Sequence, residues 1–397
     1  MPEAVIVAAL RTPIGTAFKG TLRDTSVYDL ADRIVGAVGE GLDPTLVDDV
    51  VLAESHHGGG VVARHAALTA GLLHVPGLAM NRHCAASLAA VQTAAASIRA
   101  GMDRLILAGG VNSLSTAPTS TYREPGGEGS GEGGPGGEGE AGRWVPPTHP
   151  DRPDAPNLDM SITVGWNTAV RAGIGRDEMD DWALRSHRNA VRALDEGRFK
   201  DETVPLDTPH GPFEADEHPR RDTSAARLAA LKPLHPEIEG FSITAGNASG
   251  ANDAAAALAV ADAGLARERL GLPVLATVRA WASVAADPAE TGLTPVQAIP
   301  KALARAGMTV SDVDLFEINE AFAVVPIAAV HRLGLDADTV NVNGSGCSLG
   351  HPVAATGARM LVTLIHELRR RGGGIGVASM CAGGGMGSAV VLEVPAP

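Results

Sequence analysis

The sequence predicts a duplicated α/β fold, with two copies of one strand–helix–strand unit and a different segment inserted between them. Three observations predict it. The strands read as unbroken apolar runs, two small-residue helices each follow a polar loop, and the same order of elements returns in the second half. In the first half, Ala4 to Ala9 is an apolar run stopped by Arg11-Thr12-Pro13, a buried-strand pattern. Leu30, Ile34 and Val38 recur every fourth residue, as on one face of a helix. Val50 to Ala53 is a second strand. After Cys84, residues Leu88, Val91, Ala95 and Ile98 fall at helical spacing, with Gly101 placed to stop the helix. Arg104 to Ala108 then reads as a third strand. Strands apolar along their whole length suit a parallel sheet covered on both faces.

In the second half, Val313-Asp314-Leu315-Phe316-Glu317 echoes Val47-Asp48-Asp49-Val50-Val51. A loop bearing His351 leads into a small-residue helix from Ala354 to about Leu368, and Ile375 to Met380 forms a strand that runs into a glycine loop after Cys381. Cys84 and His351 therefore hold equivalent places, each in the loop entering the central helix of its half. This divides the chain into a first half (1–115 with 246–265), an excursion (116–245) and a second half (270–397). Within the excursion, residues 124–142 are almost entirely Gly, Glu, Pro and Ser and are expected to form a mobile surface loop.

Composition narrows the function. Hydrophobic residues make up 45% of the chain but aromatics only 3%, so the core must be close-packed aliphatic side chains. A net charge of −14 argues against a general nucleic-acid binder. Three cysteines without a Cys-x-x-Cys argue against a disulfide framework or a zinc site and suit a reducing cytoplasm. No apolar run approaches the roughly 20 residues of a membrane helix. Neither end reads as a leader, a peroxisomal address or an ER address, so a cytoplasmic protein without membrane association is expected.

Four short segments carry chemistry. Cys84, in Asn81-Arg82-His83-Cys84-Ala85-Ala86-Ser87, sits at a helix start, where the dipole and unpaired N–H groups favour thiolate; the other reading is a core cysteine. Cys381 precedes Gly383-Gly384-Gly385, whose backbone can face a ligand or simply turn. The N–H groups of Gly383 and Cys84 are candidate oxyanion donors. His351, between Gly350 and Pro352, is a candidate base or a helix cap. Asn319, in Asn319-Glu320-Ala321-Phe322, could hold a catalytic water or cap a helix. Cys347 reads as a packing residue. Two thiols, a histidine and an asparagine suggest acyl transfer.

Taken in order, the nucleophilic cysteine segment, Asn319-Glu320-Ala321-Phe322, Gly350-His351-Pro352 and Cys381-Ala382-Gly383-Gly384-Gly385-Met386-Gly387 resemble the thiolase family across nearly the whole chain. Arg11-Thr12-Pro13-Ile14-Gly15 and Thr244 to Asp253 resemble it too. The resemblance implies a five-layered α-β-α-β-α core with an inserted loop domain. It also implies cleavage of 3-ketoacyl-CoA by coenzyme A, or the reverse condensation, through an acyl group on Cys84. His351 would activate Cys84, Cys381 would move the proton, and Asn319 and Gly383 would serve the oxyanion holes. By the same resemblance, Ser249, Ala248, Phe322, Met160 and Thr291 would contact the acyl-CoA, and the chain would form a homodimer or homotetramer. No metal and no permanently bound cofactor are implied.

The chain departs from the family pattern at several places. Asp159-Met160 stands where many members have His-Met-Gly, and Thr291 where many have Met, which suggests room for a longer acyl chain. Ser345 and Ala254 replace glycines. The alternatives are an acetyl-CoA acetyltransferase working in the synthetic direction, or a non-catalytic acyl-CoA-binding protein. A ketosynthase-type enzyme would lack the second cysteine.

Overall fold

The computed structural model describes residues 2–55, 57, 61–119 and 147–396; the Gly/Glu-rich segment 124–142 lies outside them. The first half runs β1 (Ala4–Arg11), α1 (Val27–Gly39), β2 (Asp49–Ala53), α2 (Val62–Thr69), β3 (Gly77–Met80), α3 (Ala86–Ala100) and β4 (Leu105–Asn112). Helix α1 starts at a reciprocal cap. The Ser26 hydroxyl accepts from the Asp29 N–H, and the Asp29 carboxylate accepts from the Ser26 N–H. The excursion contributes α4 (Asn167–Ala172) and α5 (Arg176–Asp195). The chain then returns as β5 (Asn252–Asp262), which lies between β1 and β4. The second half is β6 (Ala276–Ala285), α6 (Thr294–Ala306), β7 (Leu315–Ile318), α7 (Val324–Leu333), α8 (Thr356–Arg370), β8 (Gly374–Ala382) and β9 (Met386–Val394).

Among the described residues these strands make one sheet in the order β7-β8-β9-β6-β1-β5-β4-β2-β3. The halves join where Val5 and Ile6 of β1 pair with Thr277 and Ala276 of β6. The expectation of a parallel sheet is corrected. Pairs β2–β3, β2–β4 and β7–β8 are parallel, but β5 and β9 run antiparallel to both of their neighbours. The apolar runs looked parallel because both faces of the sheet are covered, and that covering, not strand direction, is what removes the polar alternation.

Three apolar clusters show the layering. Helices α1 and α2 cover one face of the first half. Helices α6 and α7 cover one face of the second. Between the halves, α3 and α8 share a single cluster with the inner faces of both, including Leu88, Ile98, Leu361 and Ile365, all fully buried. Each such side chain contributes about 1.5–3 kcal/mol of burial. The result is the five-layered arrangement, with the two equivalent helices at its centre.

The entry to α8 presses against the entry to α3. The Ser87 hydroxyl accepts from the Ala358 N–H at 3.0 Å, and Asn112 Oδ1 accepts from the Ala354 N–H at 3.4 Å. A side chain at Gly110 would overlap the carbonyl oxygen of Ala354. One at Gly357 would come within 2.7 Å of the Leu88 nitrogen.

The excursion is fastened to the core by a buried ion trio. Arg11, 1% exposed, donates through Nε to Glu202 at 2.6 Å and through its two terminal nitrogens to Asp216 at 2.7 and 2.8 Å. Thr363 of α8 also donates to Glu202, at 2.9 Å. Gly110→Ala is expected to cost about 1–3 kcal/mol by overpacking, read as a lower urea midpoint. Activity should fall further than stability, because the displaced Ala354 loop carries His351.

Candidate active site

Cys84 lies two residues before α3, and Cys381 lies near the end of β8, paired with Gly387. The backbone N–H groups of Cys84 and Gly383 lie near enough to the Cys84 sulfur to favour its charged form. The two thiols are close enough that charge on Cys84 raises the proton affinity of Cys381, in addition to the larger effect of burial. The geometry thus brings together Cys84, Cys381 and Gly383, which are nearly three hundred residues apart in sequence.

Their proton state differs from the sequence expectation. Cys84 is half-buried as a residue. Dehydration pushes the thiol up to about 11, outweighing the lowering by the Gly383 and Cys84 N–H groups. Burial thus opposes the thiolate that the helix-end position favours. A nucleophile held as a thiol must lose its proton to a base as it attacks.

His351 is the candidate base. Its backbone N–H donates to Asn252 Oδ1 at 3.0 Å. Its Nδ1 is 2.7 Å from the Thr356 hydroxyl, which itself donates to the Pro352 carbonyl at 2.9 Å. The hydroxyl proton is thus committed to Pro352, and this assigns the ring proton to Nδ1 and the lone pair to Nε2. Asn319 is fully buried; its side-chain NH₂ is 3.4 Å from the ring, and its Oδ1 has no hydrogen-bond partner. The Asn319 N–H donates to the Ser379 carbonyl, two residues before Cys381. Neither residue caps a helix: α7 begins at Val324 and α8 at Thr356.

The other singled-out residues divide. Ala248 and Ser249 line a cavity of about 490 Å³ together with Lys19, Arg220, His187 and His218. Phe322 makes a backbone bridge to Ala248, and Phe322, Met160 and Cys381 pack in one apolar cluster. Cys347, expected only to pack, is buried and also lines the cavity; its sulfur donates weakly to the carbonyls of Asn247 and Glu320. Thr291 is fully buried and directs its hydroxyl at backbone: it donates to Pro288 O at 2.6 Å and accepts from the Gly385 N–H at 3.0 Å.

The departures acquire reasons. Asp159 Oδ1 accepts from the N–H groups of Ser161 and Ile162 at a helix start, and Asp159 pairs with His235 at 2.7 Å. The Ser345 hydroxyl accepts from buried Arg359. Ala254 packs in a small cluster with Ile14 and Leu349.

Sequence reasoning passed over Glu320. Buried, it accepts from Trp182 Nε1 at 2.9 Å, Ser186 Oγ at 2.6 Å, Asn341 Nδ2 at 2.8 Å and the Cys347 N–H at 3.1 Å. Asn252 and Thr356, which hold His351, were also missed. A buried carboxylate beside a candidate asparagine was a usable signal, since such a group needs several donors. Among the described residues, no group of His, Cys, Asp and Glu could hold a metal ion.

A two-thiol acyl-transfer site in a duplicated α/β core defines the class, and comparison with known proteins defines the family. The thiolase N-terminal domain matches residues 4–264 and the thiolase C-terminal domain residues 272–394. The chain is similar to the acetyl-CoA acetyltransferase of Pseudomonas aeruginosa, at 40% identity over 99% of each chain. It is also similar to the 3-ketoacyl-CoA thiolase of Bacillus subtilis, at 37% identity over 99% of this chain and 100% of that one. The crystal structure of human mitochondrial 3-ketoacyl-CoA thiolase superposes with a TM-score of 0.89 at 33% identity, covering 100% and 99% of the two chains. The chain belongs to the thiolase family, and its activity is acyl transfer of the thiolase type.

The cavity histidines yield a pH prediction. Burial holds His187 and His218 down to about 4, so both are neutral at pH 7. The unfolded chain, with ordinary imidazoles, binds more protons between about pH 6.5 and 4. Stability is therefore expected to fall as pH drops through that window. A His187→Asn, His218→Asn double variant should show a shallower fall in urea midpoint between pH 7 and 4.5. Parallel curves for the two proteins would refute this.

Proposed function

We propose that the chain cleaves 3-ketoacyl-CoA with coenzyme A. The nearness of Cys84 to Cys381, with the Gly383 backbone N–H beside the Cys84 sulfur, carries this reading. Cys84 attacks the 3-keto carbon while His351 Nε2 takes its proton. The oxygen gains charge, and an oxyanion is stabilised only by donors already in place. The carbon–carbon bond then breaks, and the acetyl-CoA enolate takes a proton from Cys381. The Cys381 thiolate removes the proton from an incoming CoA thiol, whose sulfur takes the acyl group from Cys84. The imidazolium returns its proton to Cys84.

Two holes serve two oxygens. One is the N–H pair of Cys84 and Gly383. The other is His351 with a water held by Asn319, whose buried and unpartnered Oδ1 suits such a water. A high proton affinity at Cys381 fits its role, because a thiolate formed by giving a proton to an enolate must be basic enough to take the next one back. The cavity bearing Ala248 and Ser249 would admit the pantetheine arm, with Lys19 and Arg220 near the phosphates. Phe322 and Met160 would face the acyl end.

This chemistry fits fatty acid metabolism, including β-oxidation, in a reducing cytoplasm. Free cysteines support the compartment, and no helix among the described residues is long and apolar enough to cross a membrane. Strand β3 ends the sheet with Leu78 exposed, which supports a homodimer or homotetramer assembled through that edge.

Mixing the protein with acetyl-CoA should produce an acetyl adduct by intact mass that disappears in Cys84→Ser. Cys381→Ser should keep the adduct but lose exchange of the acetyl methyl protons with D₂O, and its thiolysis should fall about 10²–10⁴-fold. Bound CoA without any adduct would favour a non-catalytic acyl-CoA-binding protein.

A further inference from the structure

The turn after Cys381 is held from outside by the segment preceding α6. Gly384 and Gly385 both have left-handed backbones, with φ of 83° and 77°. A side chain at Gly385 would overlap the Ala286 carbonyl. Three bonds fix the turn. The Ala286 N–H donates to the Gly385 carbonyl at 2.8 Å, the Gly385 N–H donates to the Thr291 hydroxyl at 3.0 Å, and the Thr294 hydroxyl shares its proton between the Thr291 carbonyl at 2.7 Å and the Met386 carbonyl at 2.9 Å. The Thr291 hydroxyl proton is committed to Pro288 O, so its lone pair faces Gly385. Two residues upstream is Gly383, whose N–H reaches Cys84; four upstream is Cys381.

We infer that Thr291 is a positioning residue for the reaction: its hydroxyl fixes the turn that aims the Gly383 N–H and places the Cys381 sulfur. The inference rests on the roles proposed above for Cys84, Cys381 and Gly383. It assigns Thr291 to the oxyanion hole rather than to the choice of acyl chain. A hydroxyl is required there because it both receives an N–H and donates to a carbonyl within a dry interior. An aliphatic side chain of equal volume would leave the Gly385 N–H without its partner.

Thr291→Val keeps the shape and removes both bonds. Its kcat for thiolysis should fall about tenfold or more, a part of the 10²–10³ lost when an oxyanion donor is removed outright. The KM for CoA should stay within about twofold, because the lost interaction is made in the transition state. The ratio of kcat/KM for acetoacetyl-CoA to that for a longer 3-ketoacyl-CoA should also stay within about twofold, as expected of a residue that does not touch the chain. Thr291→Ser should restore kcat. If Thr291→Val does not fold, Thr291→Ser and Thr291→Ala pose the same question, since both lack the methyl group and only one keeps the hydroxyl.

An unchanged kcat with a lowered melting temperature overturns the inference, as does a shift in the substrate ratio with kcat for acetoacetyl-CoA preserved. Cys84→Ser separates the two layers of the argument. An adduct that survives in that variant brings down the site reading itself. A normal Thr291→Val beside an inert Cys84→Ser brings down only the role given to Thr291.

Discussion

The starts of α3 and α8 meet with almost no side chain between them, and the reactive centre depends on that approach. Gly110, Ala354, Gly357 and Ser87 leave only backbone and one hydroxyl at the contact. Each half carries its functional residue in the loop just before its central helix, so the close approach of the helix entries sets the loops that carry Cys84 and His351. The low aromatic content follows from the same constraint. A central layer of two helices lying between the two halves of a sheet has space for Ala, Leu, Ile and Val and little for rings.

A second layer of polar groups makes the site rigid. Glu320 draws donors from α5, from the Asn341 turn and from the Cys347 backbone, and so fixes Asn319 beside it. Hydrogen bonds to a charged group contribute about 1.5–3 kcal/mol each, and here they hold one short segment whose backbone also bonds Ser379. Asn252 and Thr356 do the same for His351 from the opposite side. The candidate catalytic groups thus sit on backbone tied down by other buried polar residues.

The duplicated layout was legible because apolar runs and helical spacing are local signals. The thiols, His351 and Asn319 stood out because polar residues among glycine and alanine are unusual neighbours. Strand direction was not legible, since β5 and β9 have the same all-apolar pattern whichever way they run. Nor was the proton state of Cys84. Its helix-end position favours thiolate, but burial, which depends on the folded chain around it and not on local spacing, works the other way. The partners of Glu320 lie at 182, 186, 341 and 347, a set no spacing rule connects. Thr291 was read by size, whereas its hydroxyl is committed to the glycine turn.

The Arg11 trio bears on how this protein can change over time. One member sits at the end of β1 and the other two lie in the excursion, all in the dry interior. Loss of any one leaves buried charge uncompensated, at a cost of about 3–5 kcal/mol. Mutations at the three positions are therefore interdependent, and each is harmful until the others follow. The excursion is therefore not a free module: an exchanged segment must bring acidic groups to the places of Glu202 and Asp216, or leave Arg11 as an uncompensated charge in the core.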